Sequence, residues 1–172
     1  SKSSSDLVCQ SYSKTYSMKV GIIRCGNIYG PGDFNLKRLI PEVILSTIEN
    51  KNFIIRSDGK STRDYVFVDD VVDAYLKLFK QLKISKDKLK IYNVSSKFNY
   101  SVLEIVNMIL KKMNNTKLKP IILNNSKQEL NFQRLNYSKI QKKLGWKPKT
   151  DIGMGIKKTI DWYVKFYNFL KR

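Results

Sequence analysis

The run Cys25-Gly26-Asn27-Ile28-Tyr29-Gly30-Pro31-Gly32-Asp33 contains three glycines and a proline, which dictate a loop. It directly follows Met18 to Arg24, a short run read as a buried strand. Loops at the carboxyl ends of strands in open α/β sheets are where ligands bind, and Asn27 lies in this one. An asparagine there can also be a turn residue that tolerates the left-handed conformation. Arg63, in Arg63-Asp64-Tyr65, follows a turn and precedes a strand. It can present a planar fork to a phosphate while Asp64 holds that fork in place. The alternative is an exposed Arg–Asp pair of little energetic weight. Histidine is absent, which removes Ser-His-Asp triads, imidazole-ligated zinc and histidine proton shuttles. Two cysteines, Cys9 and Cys25, are too few for a disulfide framework or a four-thiolate metal site. No metal centre is expected, and a reduced cytoplasmic compartment is the default.

Charge is the strongest compositional signal, with 33 Lys+Arg against 14 Asp+Glu and a net +19 over 172 residues. That balance permits a polyanionic partner, nucleic acid above all. Much of it is lysine scattered beside asparagine, as in Lys111-Lys112-Met113-Asn114-Asn115. A nucleic-acid binder concentrates charge on a stripe with arginines or aromatics interleaved. The lysine excess is therefore read as a solvated face, and a specific anion is sought at the few arginines. No stretch approaches 18 uncharged apolar residues, and the opening Ser-Lys-Ser-Ser-Ser-Asp lacks a secretion signal, so no membrane association is expected.

These residues must be positioned by elements that alternate. Ser3 to Tyr16 reads as a helix with Leu7, Val8, Tyr12 and Tyr16 near a 3.6 period. A second helix spans Leu36 to Glu49, with Pro41 in its first turn. Phe53–Arg56 and Tyr65–Val68 read as strands separated by a Ser57–Lys60 turn, and Asp69-Asp70 can cap the helix from Val71 to Leu82. Lys90 to Val94 is a strand, and Ser101-x-x-Glu104 is a capping box opening a helix to Met113. Leu118 to Leu123 is a strand, Tyr137 to Leu144 a helix stopped by Gly145, and Ile152 to Leu170 a terminal amphipathic helix. The alternation predicts an α/β domain. The abrupt start, with no strand before the first helix, suggests the back part of something longer.

Several motifs in fixed order resemble the extended short-chain dehydrogenase/reductases that modify nucleotide sugars, the NAD-dependent epimerase/dehydratases. They are Arg24-Cys-Gly-Asn27-x-Tyr29-Gly30-Pro31-Gly-Asp33, Leu39-Ile40-Pro41, and Arg56-Ser-Asp-Gly59-x-x-x-Arg63-Asp64-Tyr65-x-x-Val68-x-Asp70. Tyr92-Asn93-Val94, Leu144-Gly145-Trp146-x-Pro148 and the closing Trp162-Tyr163 helix fit as well, so the resemblance covers essentially the whole chain. Within the family, the Arg56–Tyr65 segment and Glu129-x-x-x-Gln133-x-Leu135 look most like the CDP-glucose 4,6-dehydratases.

The resemblance implies a fold that is the C-terminal half of a Rossmann-type enzyme, including the small α/β substrate-binding domain. It makes residues 1–172 the end of the Rossmann sheet interleaved with that subdomain, without the N-terminal NAD-binding half. It implies redox-neutral loss of water from a hexose nucleotide, CDP-glucose favoured, with NAD as cofactor and a homodimer paired through the first helix at Leu7, Val8 and Tyr12. A 4-epimerase of the same fold and a non-catalytic basic nucleic-acid binder are the alternatives. By position, Lys2 looks like the lysine of Tyr-x-x-x-Lys, whose tyrosine would stand three residues before Ser1. Ile28 would approach the nicotinamide. Asn27 and Arg63 would hold the sugar diphosphate, Arg38 and Leu39 would lie near the nucleotide, Ile54 and Arg56 in the base pocket, and Asn93 in the same cleft. Related dehydratases place arginines near Asn131-Phe132, where this chain has none, so Arg134 is the other candidate for the diphosphate.

Overall fold

The structure, a computed structural model, describes residues 1–125 and 130–171; Glu129 of the second dehydratase-like segment lies outside them. Helix α1 (Lys2–Thr15) leads into strand β1 (Val20–Cys25), which pairs in parallel with β5 (Leu89–Val94), Val20 opposite Leu89 and Cys25 opposite Val94. The sequence predicts a buried β1, but its residues are half-buried and Arg24 is exposed. Among the described residues β1 has β5 as its one strand neighbour. Helix α3 (Val68–Ile84) covers one face of β1 closely: a Cβ at Gly21 would overlap Leu78 and Leu82.

The predicted loop after β1 holds a three-residue strand, β2 (Asn27–Tyr29), parallel to β4 (Thr62–Phe67) with Asn27 opposite Tyr65. The glycines that suggested a loop bracket this strand: Gly30 and Gly32 take positive φ of 154° and 78°, which a Cβ would resist. Strand β6 (Asn99–Ser101) joins β4 antiparallel, and β8 (Phe132–Gln133) joins it in parallel. Both are too short to leave a periodicity in the sequence. Strand β3 (Ile54–Ile55) pairs in parallel with β7 (Ile121–Ile122), both shorter than their apolar runs suggest.

Helix α2 (Leu39–Ile48) starts three residues later than its apolar pattern, with Pro41 in the first turn as expected. The cap expected of Asp69-Asp70 does not form. Helix α3 begins at Val68, and both aspartates fall inside its first turn, where their charge suits the dipole. Buried Asp70 instead accepts the backbone N–H groups of Lys149 and Thr150 at 3.1 and 3.0 Å, and its carbonyl accepts Trp146 Nε1 at 2.9 Å. Helix α4 (Val102–Lys112) carries the complete Ser101/Glu104 capping box. Helix α5 (Ser138–Leu144) ends on left-handed Gly145, and α6 (Ile152–Leu170) matches its sequence span.

Two apolar cores result. Tyr29, Ile44, Phe67, Ile105, Ile109, Ile156 and Tyr163 pack α2, α4 and α6 against β2 and β4. Val66, Ala74, Leu78, Val94, Ile140 and Trp146 pack α3 and α5 over the β4 and β5 region. No helix among the described residues is long and apolar enough to cross a membrane.

Candidate functional site

A cleft of about 1070 Å³ opens where α1, β1, β2, the start of α2 and β4 meet. Lys2, Asn27, Ile28, Arg38, Leu39 and Arg63 all line it, together with Gln133 and Leu135 from the β8 strand and its continuation. Six residues separated by up to 61 positions are thus brought to one cavity, through the crossover that makes β2 and β4 parallel neighbours.

Lys2 is exposed at the first position of α1. That helix is tied down by Asp6, which receives Arg24 Nε at 2.7 Å and Nη2 at 3.1 Å. The Arg24 guanidinium, with Gln10, holds the Asp6 carboxyl below its ordinary value. Arg24 is therefore satisfied by its own chain. Asn27 is exposed at the start of β2 and Ile28, 36% exposed, offers an apolar side chain to the cleft. Arg38 pairs with Asp33 at 3.3 Å while remaining largely in solvent, and Leu39 packs against the larger core. The Asp33 carbonyl accepts the Tyr163 hydroxyl, and Phe34 sits edge-on to Trp162 and Phe166, which clasps this loop to α6.

Arg63 is half-buried on β4 and donates Nη1 to the Thr62 carbonyl at 2.9 Å. The expected Arg63–Asp64 clamp is not formed. Successive residues of a strand project to opposite faces, so Asp64 points away from its neighbour. It is 1% exposed, and its Oδ2 accepts the Ser95 hydroxyl at 2.5 Å and the Leu135 N–H at 3.4 Å. Burial, with the Asp64 charge behind it, pushes the Cys25 thiol up to about 11.

Four expected site residues lie elsewhere: Asn93, Ile54, Arg56 and Arg134. Asn93 shares a smaller recess of about 240 Å³ with Arg24, Ile91, Asn136 and Lys139, because its β5 register places it beside Arg24. Ile54 and Arg56 are exposed around β3 and do not line the cleft. Arg134 is exposed and donates to the Lys97 carbonyl at 3.2 Å. Gln133 and Leu135 were not singled out individually as cleft residues; β8 is two residues long and its pairing to β4 is nonlocal. The described residues hold no cluster of three or more metal-ligating side chains.

The profile of the NAD dependent epimerase/dehydratase family matches residues 1–95. The chain belongs to this family. Human dTDP-D-glucose 4,6-dehydratase is 31% identical over 176 residues, spanning 98% of this chain and 49% of that protein. The Escherichia coli dTDP-glucose 4,6-dehydratase is 28% identical over 178 residues, spanning 99% and 48%. The chain thus spans about half the length of the curated relatives it matches. Among solved structures, Thermotoga maritima UDP-glucose 4-epimerase with UDP-glucose superposes with a TM-score of 0.85 at 25% identity, over 96% of this chain and 52% of that one. The dTDP-glucose 4,6-dehydratase of Bacillus anthracis in complex with NAD gives 0.80 at 25%, over 95% and 50%. The α/β fold with parallel pairing is that of the Rossmann-type members of the family.

Proposed function

We propose that the protein supplies the substrate-binding part of a nucleotide-sugar 4,6-dehydratase, a hydro-lyase, working with NAD on a pyrimidine nucleoside diphosphate hexose. The observation that carries this reading is the convergence of Lys2, Asn27, Ile28, Arg38, Leu39 and Arg63 on one cleft. The relatives at 31% and 28% identity over nearly the whole chain, both dehydratases of dTDP-glucose, support the reaction. A 4-epimerase shares the fold closely enough that geometry alone does not separate the two.

The fit to NAD is partial. Lys2 contributes an ammonium and Ile28 an apolar surface on the cleft, which suit the nicotinamide end. The glycine segment does not suit a pyrophosphate, because a Cβ at Gly26 would overlap the Asp64 carboxylate and a second anion there would be repelled. When bound, NAD supplies a reversible hydride acceptor. The chain's own residues bind, orient and polarise. Arg63 offers a two-pronged donor to the diphosphate, and Asn27 offers an amide. Lys2 places positive charge where it favours the ionised form of a proton acceptor beside the sugar hydroxyl. Diphosphate binding remote from the reacting carbons fixes the hexose in the cleft, so these contacts serve rate as well as affinity.

CDP-glucose, the substrate indicated by the Arg56–Tyr65 segment, is one arm of the test against dTDP- and UDP-glucose. The further proposals are cytoplasmic location, supported by free Cys9 and Cys25, and a homodimer through α1, supported by its exposed Leu7, Val8 and Tyr12. We also assign residues 1–172 to the C-terminal part of the family domain. The 172-residue chain is then expected to form no 4-keto sugar alone, and a polypeptide that adds a glycine-rich dinucleotide loop and the Tyr-x-x-x-Lys tyrosine is expected to form it. Keto product from the 172 residues alone contradicts this assignment.

A further inference from the structure

Asp64 is the most completely buried carboxylate described, and it takes no part in the cleft's chemistry. A buried acid is costly unless it is well hydrogen-bonded. This one has modest compensation: the Ser95 hydroxyl at 2.5 Å and the Leu135 N–H at 3.4 Å share Oδ2, and Oδ1 has no hydrogen-bond partner among the described residues. Gly26 lies directly over the carboxylate, where any side chain would collide with it. Ser95 is itself fully buried.

The placement of these contacts in the chain is what gives them meaning. Gly26 immediately precedes Asn27, and Asp64 immediately follows Arg63. Leu135 itself lines the cleft, two residues beyond Gln133, which also lines it. Three separate segments that deliver cleft residues, β1–β2, β4 and the continuation of β8, therefore converge on one carboxylate behind the cleft. Ser95 adds a fourth, the end of β5.

We propose that Asp64 is a positioning residue for the diphosphate subsite: it locks these segments together and so aims Arg63 and Asn27 at the ligand. This rests on the reading of the cleft as a nucleoside diphosphate site. Electrostatics and positioning predict opposite signs, which makes the proposal decidable. A buried negative charge adjoining Arg63 opposes an incoming diphosphate, so neutralising it would tighten binding if charge were all that mattered. As a positioning group, its replacement weakens binding.

The test is calorimetric titration of dTDP into the 172-residue wild type, Asp64→Asn, Ser95→Ala, Arg63→Ala and the Asp64→Asn/Arg63→Ala double variant. Thermal unfolding establishes that each is folded. We expect Asp64→Asn to bind at least tenfold more weakly, Ser95→Ala to move the same way by less, and the Asp64 effect to shrink in the Arg63→Ala background, since the two act as one unit. Unchanged or tighter binding by folded Asp64→Asn overturns the proposal, as does full additivity with Arg63→Ala. Amide hydrogen exchange provides a readout without ligand: the Leu135 N–H should exchange faster in Ser95→Ala and in Asp64→Asn than in wild type, while the Val66 amide stays protected. Unaltered Leu135 exchange overturns the anchor whether or not dTDP binds. If wild type binds neither dTDP, UDP nor CDP yet the exchange result holds, the diphosphate reading fails while the anchor stands as a lock on the cleft wall.

Discussion

At the scale of single residues, the cleft separates arginines that are committed from one that is available. Arg24 is engaged bidentately by Asp6, Arg38 pairs with Asp33, and Arg134 donates to a carbonyl. Arg63 alone of these is both cleft-lining and without a carboxylate partner among the described residues. Removing one member of a desolvated charge pair costs roughly 2–5 kcal/mol, and about 1.4 kcal/mol is a decade in affinity. Arg63→Ala is therefore expected to weaken nucleoside diphosphate binding by well over tenfold, and Arg63→Lys to recover only part, because an ammonium lacks the planar fork. Lys111→Ala, on an exposed turn of α4, should leave affinity unchanged. Equal loss from Lys111→Ala and Arg63→Ala would reduce binding to bulk charge. Asn27 and Arg63, which the structure brings to one cleft, were legible as candidates because each stands near the start of a strand. The Asp64 partnership was misjudged for a physical reason: residues adjacent on a strand face opposite ways, so sequence neighbours there are poor candidates for a pair.

At the scale of elements, the helices and the strands with apolar runs, β3 and β7 among them, were readable, whereas β2, β6 and β8 were not. The Ser101/Glu104 capping box, the Gly145 stop and the span of α6 leave local signatures that the structure reproduces. Strands β2, β6 and β8 run two or three residues each, too short for any period, and exist because nonlocal pairing to β4 satisfies their backbones. The contact of α6 with β2 was equally invisible. Gly155 lets α6 approach so closely that a Cβ there would overlap the Tyr29 hydroxyl. Intrinsic helix propensity favours alanine over glycine by about 1 kcal/mol, whereas overpacking a close contact costs about 1–3 kcal/mol. Tyr29 is buried and edge-packed on Tyr65 and Phe67, so it has little room to give. Gly155→Ala is accordingly expected to lower stability, read as an earlier urea midpoint; a later midpoint would show that the helix shifts freely on the sheet.

At the scale of the whole molecule, burial of acidic hydroxyl and thiol groups sets the alkaline limit. Burial raises the Cys25 thiol from 9.0 to about 11 and, with Asp33 nearby, the Tyr163 phenol from 10.0 to about 12. Groups held protonated in the folded state contribute stability fully below their unfolded values, and that contribution is lost as pH rises toward the folded values. The urea midpoint should fall between about pH 9 and 11, and fall less in Cys25→Ser; a midpoint flat across this range contradicts the burial of these groups. The net +19 surface acts differently, since lysine-driven attraction for polyanions collapses with salt. A pocket contact centred on one half-buried arginine is screened less. The central claim, that the cleft is a site for a pyrimidine nucleoside diphosphate anchored at Arg63, is met most directly by calorimetric titration of dTDP, UDP and CDP at low and at moderate salt. The account predicts one-to-one saturable binding of at least one of them, retained at moderate salt and reduced more than tenfold in Arg63→Ala. No binding of any of the three, or binding equal in wild type and Arg63→Ala, would contradict it.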